Sequence, residues 1–146
     1  QKPLVVISTG SGFAPVRSLL QQRIQIAREW GEESSTPHPF HTSPISLFAG
    51  FRLVDESIIH AAVDLAERYR LLDLACLVPS NPEKKRVQGY LLDKRDTIRA
   101  KLVEQEGYVY VCGSAAMTEG VRVNLSEILA GEVKQIMGER YVEEVF

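Results

Sequence analysis

Three short stretches hold residue types that chemistry can use, and each follows an apolar run. Gly10-Ser11-Gly12-Phe13-Ala14-Pro15 places two glycines and a serine just before a segment with helical spacing. Glycines let the backbone turn tightly and approach a ligand closely. A helix starting there would aim its free N–H groups at the same spot, which suits a phosphate. The stretch is not a Walker loop, because Gly-Lys-Ser/Thr is absent. It is not the usual dinucleotide fingerprint either, since Ala14 and Pro15 follow the second glycine at once. A plain strand-to-helix turn would use the same residues. Lys84-Lys85-Arg86 follows the third apolar run after a Pro-containing loop. Cations beside an adenosine ribose would favour a 2′-phosphate, but a solvated charge run would look alike. Cys112-Gly113-Ser114-Ala115-Ala116-Met117 ends the fourth run. Gly113 would permit close approach, and Cys112 would stand at the sheet edge beside a ligand. A strand cysteine is more commonly a small buried hydrophobe, and Met117 equally suits a core.

Such residues need elements to position them. Leu4 to Ser8, Ile45 to Gly50, Leu74 to Val78 and Tyr108 to Cys112 are short apolar runs ended by Gly or Pro, the pattern of buried strands. Tyr141 to Phe146 is a fifth, short candidate. Between them, apolar residues recur at helical spacing: Val16, Leu19, Leu20, Ile24 and Ala27 with Pro15 in the first turn, then Ile58, Ile59, Ala62, Val63, Ala66 and Tyr69. Val87, Leu91, Ile98 and Leu102 suggest a broken helical stretch, and Val121, Leu125, Ile128, Leu129 and Ile136 one long last helix. Residues 31–44 read as a surface loop. Alternating strands and helices predict an α/β fold: a Rossmann-like five-stranded parallel sheet with helices on both faces. Ligands of such sheets bind beyond the carboxyl ends of the strands, which points to residues 10–15, 50–55, 79–86 and 112–117.

Composition narrows the function. A net charge of -2 gives no general attraction to nucleic acid or an anionic membrane, so an anionic ligand must rely on local cations. No apolar run approaches the roughly 20 residues that span a bilayer. Cys76 and Cys112 are too few for a disulfide scaffold. An intracellular, reducing compartment is the expected setting. Gln1-Lys2-Pro3 runs straight into a strand pattern without an initiator Met or a signal peptide, so the sequence reads as a piece of a longer protein.

Taken together, the stretches resemble the ferredoxin–NADP reductase and diflavin reductase family. Gly10 to Ser18 resembles its G-T-G-I-A-P-F-R-S/G turn. Leu47-Phe48-Ala49-Gly50-Phe51-Arg52 with Asp55 is similar to L-F-x-G-C-R-x-x-x-D, and Lys84 to Gln88 to K-x-Y-V-Q. Tyr110-Val111-Cys112-Gly113 through Met117 resembles Y-V-C-G-x-x-x-M, and Arg140 to Phe146 resembles the R-Y-x-x-D/E-V-W/Y ending. The blocks follow family order over nearly the whole chain.

The resemblance implies roles. Gly10, Ser11, Gly12 and Pro15 would hold the pyrophosphate and the nicotinamide end, with Gly113, Ser114 and Met117 lining the site. Arg52 would contact phosphate or adenosine. Lys84 and Arg86 would meet the 2′-phosphate, and Gln88 the adenosine ribose. Cys112 would sit by the nicotinamide C4, Glu144 would be the nearby carboxylate, and Phe146 would stack on the isoalloxazine. There are departures. Phe51 stands where many members have Cys, and Ser114 replaces a frequent Asp. The family's Ser-Arg pair is not evident among Val78, Pro79 and Ser80, and Arg86 takes the usual Tyr position. The preference for NADPH over NADH then rests on Lys84, Lys85, Arg86 and Ser80.

The resulting expectation is one NADP(H)-binding domain over residues 1–146 of a flavoprotein reductase. It would place NADPH for hydride transfer to FAD held by another domain of the same parent. Electrons would pass on to an acceptor such as an FMN domain, a haem protein or an iron–sulfur protein. The chain alone would have no turnover. Two rivals stay open: a stand-alone nucleotide-binding regulatory module or NADH-dependent flavin reductase domain, and a scaffold that kept the fold and lost the site.

Overall fold

The computed structural model describes residues 2–30, 44–52, 55–80 and 86–146. Lys84 and Lys85 lie outside the described residues, as does nearly all of the expected 31–44 loop.

The strands are β1 (Leu4–Thr9), β2 (Ile45–Phe51), β3 (Leu72–Pro79), β4 (Tyr108–Gly113) and β5 (Tyr141–Val145). All neighbours pair in parallel, in the spatial order β3-β2-β1-β4-β5. β2 is buried at every position, the signature of a strand covered on both faces. β3 and β5 are the edges, and an edge strand tolerates Pro79 as its last residue.

Helices α1 (Phe13–Trp30) and α2 (Glu56–Arg68) bury Val16, Leu20, Ile24, Ile59 and Val63 against one face. Helices α3 (Val87–Asp93), α4 (Arg95–Arg99), α5 (Ala115–Leu129) and α6 (Val133–Met137) bury Leu91, Ile98, Val121, Leu125 and Met137 against the other. The change of face follows from handedness. The connections β1→β2→β3 step one way across the sheet, and β3→β4→β5 step back past β1. Right-handed crossovers then put the two sets of helices on opposite faces. The order reverses between β1 and β4, so their carboxyl ends diverge into a crevice.

Two helical expectations resolve differently. The stretch from Val87 is broken as predicted: α3 stops at Lys94, α4 follows, and a π-type turn spans Ala100–Glu104. The expected single last helix is two. Ala130 takes a left-handed conformation with φ 57°, and Glu132 caps α6 by accepting from the Gln135 N–H at 2.8 Å. The Ser126 hydroxyl also accepts from the Val133 N–H at 3.1 Å, which turns the chain. The inward residues of α6 are therefore Val133 and Met137, while Ile136 faces out.

At the amino ends of the strands, the Lys101 ammonium pairs with Asp73, which also accepts from the Ser46 hydroxyl at 2.7 Å. Arg140 Nη1 donates to the carbonyls of Leu102 and Gly107, both at 2.9 Å. It thereby stitches the π-type turn to the start of β5.

Candidate functional site

The crevice at the carboxyl ends is a cleft of about 430 Å³. Its lining includes Gly10, Arg52, Ser80, Arg86, Gln88, Ser114 and Met117, seven of the residues singled out from sequence. They come from the ends of four strands and the loops after them, so pairing brings together residues as far apart in sequence as Gly10 and Met117.

Gly10 stands at the β1–α1 turn with φ 54°, a conformation glycine adopts without strain, and nothing stands where a Cβ would be. Gly12 is different. A Cβ there would lie 2.3 Å from the Cys112 carbonyl oxygen. Its smallness lets the turn before α1 pack directly on β4. Gly113 follows suit, since a Cβ on it would meet Met117 Cε at 2.2 Å and Thr9 Oγ1 at 2.6 Å. Met117 is itself a core residue that also floors the cleft.

The N-termini of α1 and α5 approach the crevice from opposite faces of the sheet. Their partial positive charge favours an anion between them. Ser114 is the N-cap of α5, where its hydroxyl accepts from the Met117 N–H at 3.2 Å. Asp caps as well as Ser, which accounts for one departure from the family pattern. Ser114→Ala is expected to lower stability by about 1 kcal/mol, and Ser114→Asp to retain it. Urea unfolding midpoints of the two variants check this.

Arg52 extends from the end of β2 with 74% of its side chain exposed and pairs with Asp55 at 3.5 Å. It borders the cleft and also a second hollow, between α1 and α2, that contains Ser11 and Arg17. Ser11 lines that second hollow, next to Gly10, which borders both. Gln88 packs against Gly120, and its carbonyl accepts from Asn124 Nδ2 at 2.7 Å. That anchors the start of α3 on α5 and keeps Arg86 at the cleft wall.

The remaining candidates form a second cluster at the β4–β5 end. Cys112 and Glu144 are register partners. Phe146 donates its backbone N–H to the Gly113 carbonyl at 2.9 Å, and the residue is 62% exposed. Pro15 borders a hollow over this side with Tyr110 and Val142. Cys112 itself has no accessible surface, so direct contact with a ligand requires its cover to shift. Burial pushes the Cys112 thiol up, a hydrogen bond from Tyr110 works the other way, and the Glu144 charge adds to the rise.

Glu143 and Glu144 are neighbours with opposite fates, because alternate strand residues face opposite sides. Glu143 is held on the α5–α6 side by Arg122 at 2.9 Å, Lys134 at 3.4 Å and the Tyr141 hydroxyl at 2.7 Å. Glu144 is exposed and sits beside Cys112. Two residues were missed from sequence. Thr9 lines the cleft immediately before Gly10. Tyr110 lies two positions before Cys112, and the two-residue strand period was signal enough to place it on the same face.

A doubly wound parallel sheet with a cleft between two helix N-termini at the switch in strand order defines a dinucleotide-binding type of domain. The chain belongs to the oxidoreductase NAD-binding domain family, whose profile matches residues 6–123. It is 28% identical over 137 residues to a nitric oxide synthase of Anopheles stephensi, covering 92% of this chain and 10% of that protein. It is 28% identical over 144 residues to an NADPH–cytochrome P450 reductase of Phanerodontia chrysosporium, covering 92% and 19%. A self-sufficient cytochrome P450 monooxygenase of Penicillium expansum is 28% identical over 152 residues, covering 99% and 13%. The chain thus spans between a tenth and a fifth of the length of these relatives. Among solved structures, a mutant ferredoxin–NADP+ reductase of Plasmodium falciparum in complex with 2′P-AMP superposes with a TM-score of 0.73 at 17% identity, covering 99% of this chain and 53% of that one. That likeness concerns the fold.

Proposed function

We infer that this chain binds NADPH along the carboxyl edge of its sheet and presents the nicotinamide end near Cys112, Glu144 and Phe146. The observation that carries the reading is that Ser80 and Arg86 share one cleft with Gly10 and Ser114. In this reading Ser80 and Arg86 would meet the 2′-phosphate, and Gly10 and Ser114 the diphosphate, within one crevice. Arg86 provides a planar set of donors for phosphate, and the bond is charge-assisted. Lys84 and Lys85 would add to that edge. The α1 and α5 N-termini, with Arg52, offer the positive field that the diphosphate needs.

When bound, nicotinamide and flavin supply the hydride chemistry. The residues of this chain contribute placement. Gly10 leaves the backbone open to the ligand. Phe146 presents a flat aromatic at the strand end, a fitting cover for a flavin ring until nicotinamide replaces it. Glu144 places a negative charge where a nicotinamide cation would develop. The flavin would be FAD held by another domain of the parent protein, and the acceptor an FMN domain, a haem protein or an iron–sulfur protein. The relatives whose names include a reductase or an oxygenase support this setting. Cys76 and Cys112 are not joined in a disulfide and pack on opposite faces of the sheet, which supports a reducing, intracellular setting.

Calorimetric titration with 2′,5′-ADP and with 5′-AMP tests the reading. Tighter binding of 2′,5′-ADP is expected. Arg86→Ala should weaken it by about tenfold, the worth of one exposed charge-assisted bond, and leave 5′-AMP unchanged. Equal binding of the two nucleotides would move the reading to NADH.

A further inference from the structure

The start of α3 brings Arg86 and Gln88 to the cleft, yet α3 by itself is poorly equipped to hold them. It has seven residues, its N-cap Arg86 makes no side-chain capping bond, and its first turn contains no acidic residue. A helix so short takes its order from tertiary contacts. Val87 and Leu91 supply some, since both are buried in one core with Val121 and Leu125 of α5. Gln88 is held at two further points, both on α5. Asn124 Nδ2 donates to the Gln88 backbone carbonyl at 2.7 Å. Gly120 stands one turn before Asn124 on the same face of α5. A Cβ on Gly120 would lie 3.0 Å from Gln88 Nε2, 3.3 Å from Cγ and 3.4 Å from Cδ. Glycine inside a helix costs stability relative to alanine. The backbone at Gly120 does not call for it, because the positive φ angles among the described glycines are those of Gly10 and Gly138. What glycine provides at this position is room for the Gln88 side chain.

We propose that Gly120 and Asn124 are positioning residues: together they form a seat on α5 for Gln88, and this seat sets how well the cleft grips the adenosine end of its nucleotide. The direction of the Asn124 bond is fixed, since a backbone carbonyl only accepts and the side-chain atom facing it must be the NH2 group. The two contacts do different things. Asn124 holds the backbone at Gln88, and with it the placement of Arg86 two residues before. Gly120 leaves the Gln88 side chain its place, and the three atoms nearest to its Cβ position all belong to Gln88. A methyl group at 120 therefore displaces Gln88 and spares Arg86, whereas loss of the Asn124 donor loosens both.

The purpose of the seat rests on the NADPH reading, but its geometry does not. Gly120→Ala separates placement from packing, because stability and binding should part company. Alanine favours a helix interior, so the thermal midpoint should equal or exceed that of the wild type. Binding of 2′,5′-ADP and of 5′-AMP should each weaken by about fivefold, near the worth of one hydrogen bond, with their ratio kept. Asn124→Leu keeps the volume and removes the donor. In that variant 2′,5′-ADP should weaken more than 5′-AMP, because Arg86 loses its placement too. Hydrogen exchange without nucleotide should then be faster at the amides of residues 89–92, with those of β1 and β4 unchanged. Wild-type affinity in Gly120→Ala overturns the seat. So does unchanged exchange over α3 in Asn124→Leu, and so does exchange that quickens equally in β1 and β4, which would make Asn124 a general packing residue. A wild-type chain without preference for 2′,5′-ADP would count against the NADPH reading alone, and the exchange over α3 would still decide the seat.

Discussion

Gly12→Ala is expected to destabilise the protein by about 3 kcal/mol or more and to weaken 2′,5′-ADP binding in the molecules that remain folded. The added Cβ would sit 2.3 Å from the Cys112 carbonyl oxygen, 2.6 Å from its carbon and 3.0 Å from the Gly113 nitrogen. All three are backbone atoms of a central strand, so no side chain can swing aside. The start of α1 must lift from β4, or β4 must bend. Either displacement moves the α1 N-terminus relative to Ser114, and the crevice between them loses its shape. Gly10→Ala is the contrast. That site has positive φ but open space, so only the left-handed backbone penalty applies, about 1 to 2 kcal/mol. Thermal unfolding of both variants, followed by nucleotide titration, separates the two costs. Equal losses would show that the Gly12 contact is softer than its geometry implies.

The second large effect lies at the opposite end of the sheet. Asp73→Ala is expected to cost about 3 kcal/mol, the range for removing one partner of a largely buried ion pair. Only 10% of the Lys101 side chain is exposed, so without Asp73 its ammonium has neither counter-ion nor adequate water. The Ser46 hydroxyl loses its acceptor as well. Lys101→Met should be milder, about 1 kcal/mol, because Met keeps the apolar stem while the remaining carboxylate, 33% exposed, can be hydrated. The double variant should then lose less than the sum of the two single ones. Urea unfolding of the three variants checks this. Nucleotide affinity at temperatures well below unfolding should not change, since Ser46 and Asp73 begin their strands and the cleft lies at the carboxyl ends. A Lys101→Met loss larger than that of Asp73→Ala would reverse the assignment of which charge is stranded.

Much of the ligand-facing edge was legible before any coordinates. Strands written as uninterrupted apolar runs announce burial on both faces, and a parallel sheet puts its ligand where those runs stop. Gly10, Arg52, Ser80, Arg86, Gln88, Ser114 and Met117 all meet in the cleft as that rule requires. The break in the last helix was not legible. Val121 to Leu129 and Ile136 fit one period, while the turn depends on Ser126 and Glu132 hydroxyl and carboxylate bonds to backbone N–H groups that periodicity does not describe.

The amino-acid sequence by itself determined the alternation of strands and helices, the parallel sheet and the positions along the chain where the strands end and the cleft opens. Those are local properties, because apolar period, glycine placement and capping residues act within a few positions of each other. The tertiary structure alone decided which side each group serves. It made Gly12 a contact with β4, gave Glu143 to Arg122 and Lys134 and left Glu144 beside Cys112. Sidedness depends on strand register between segments that are distant in sequence, and a shift of one residue in that register exchanges the two faces.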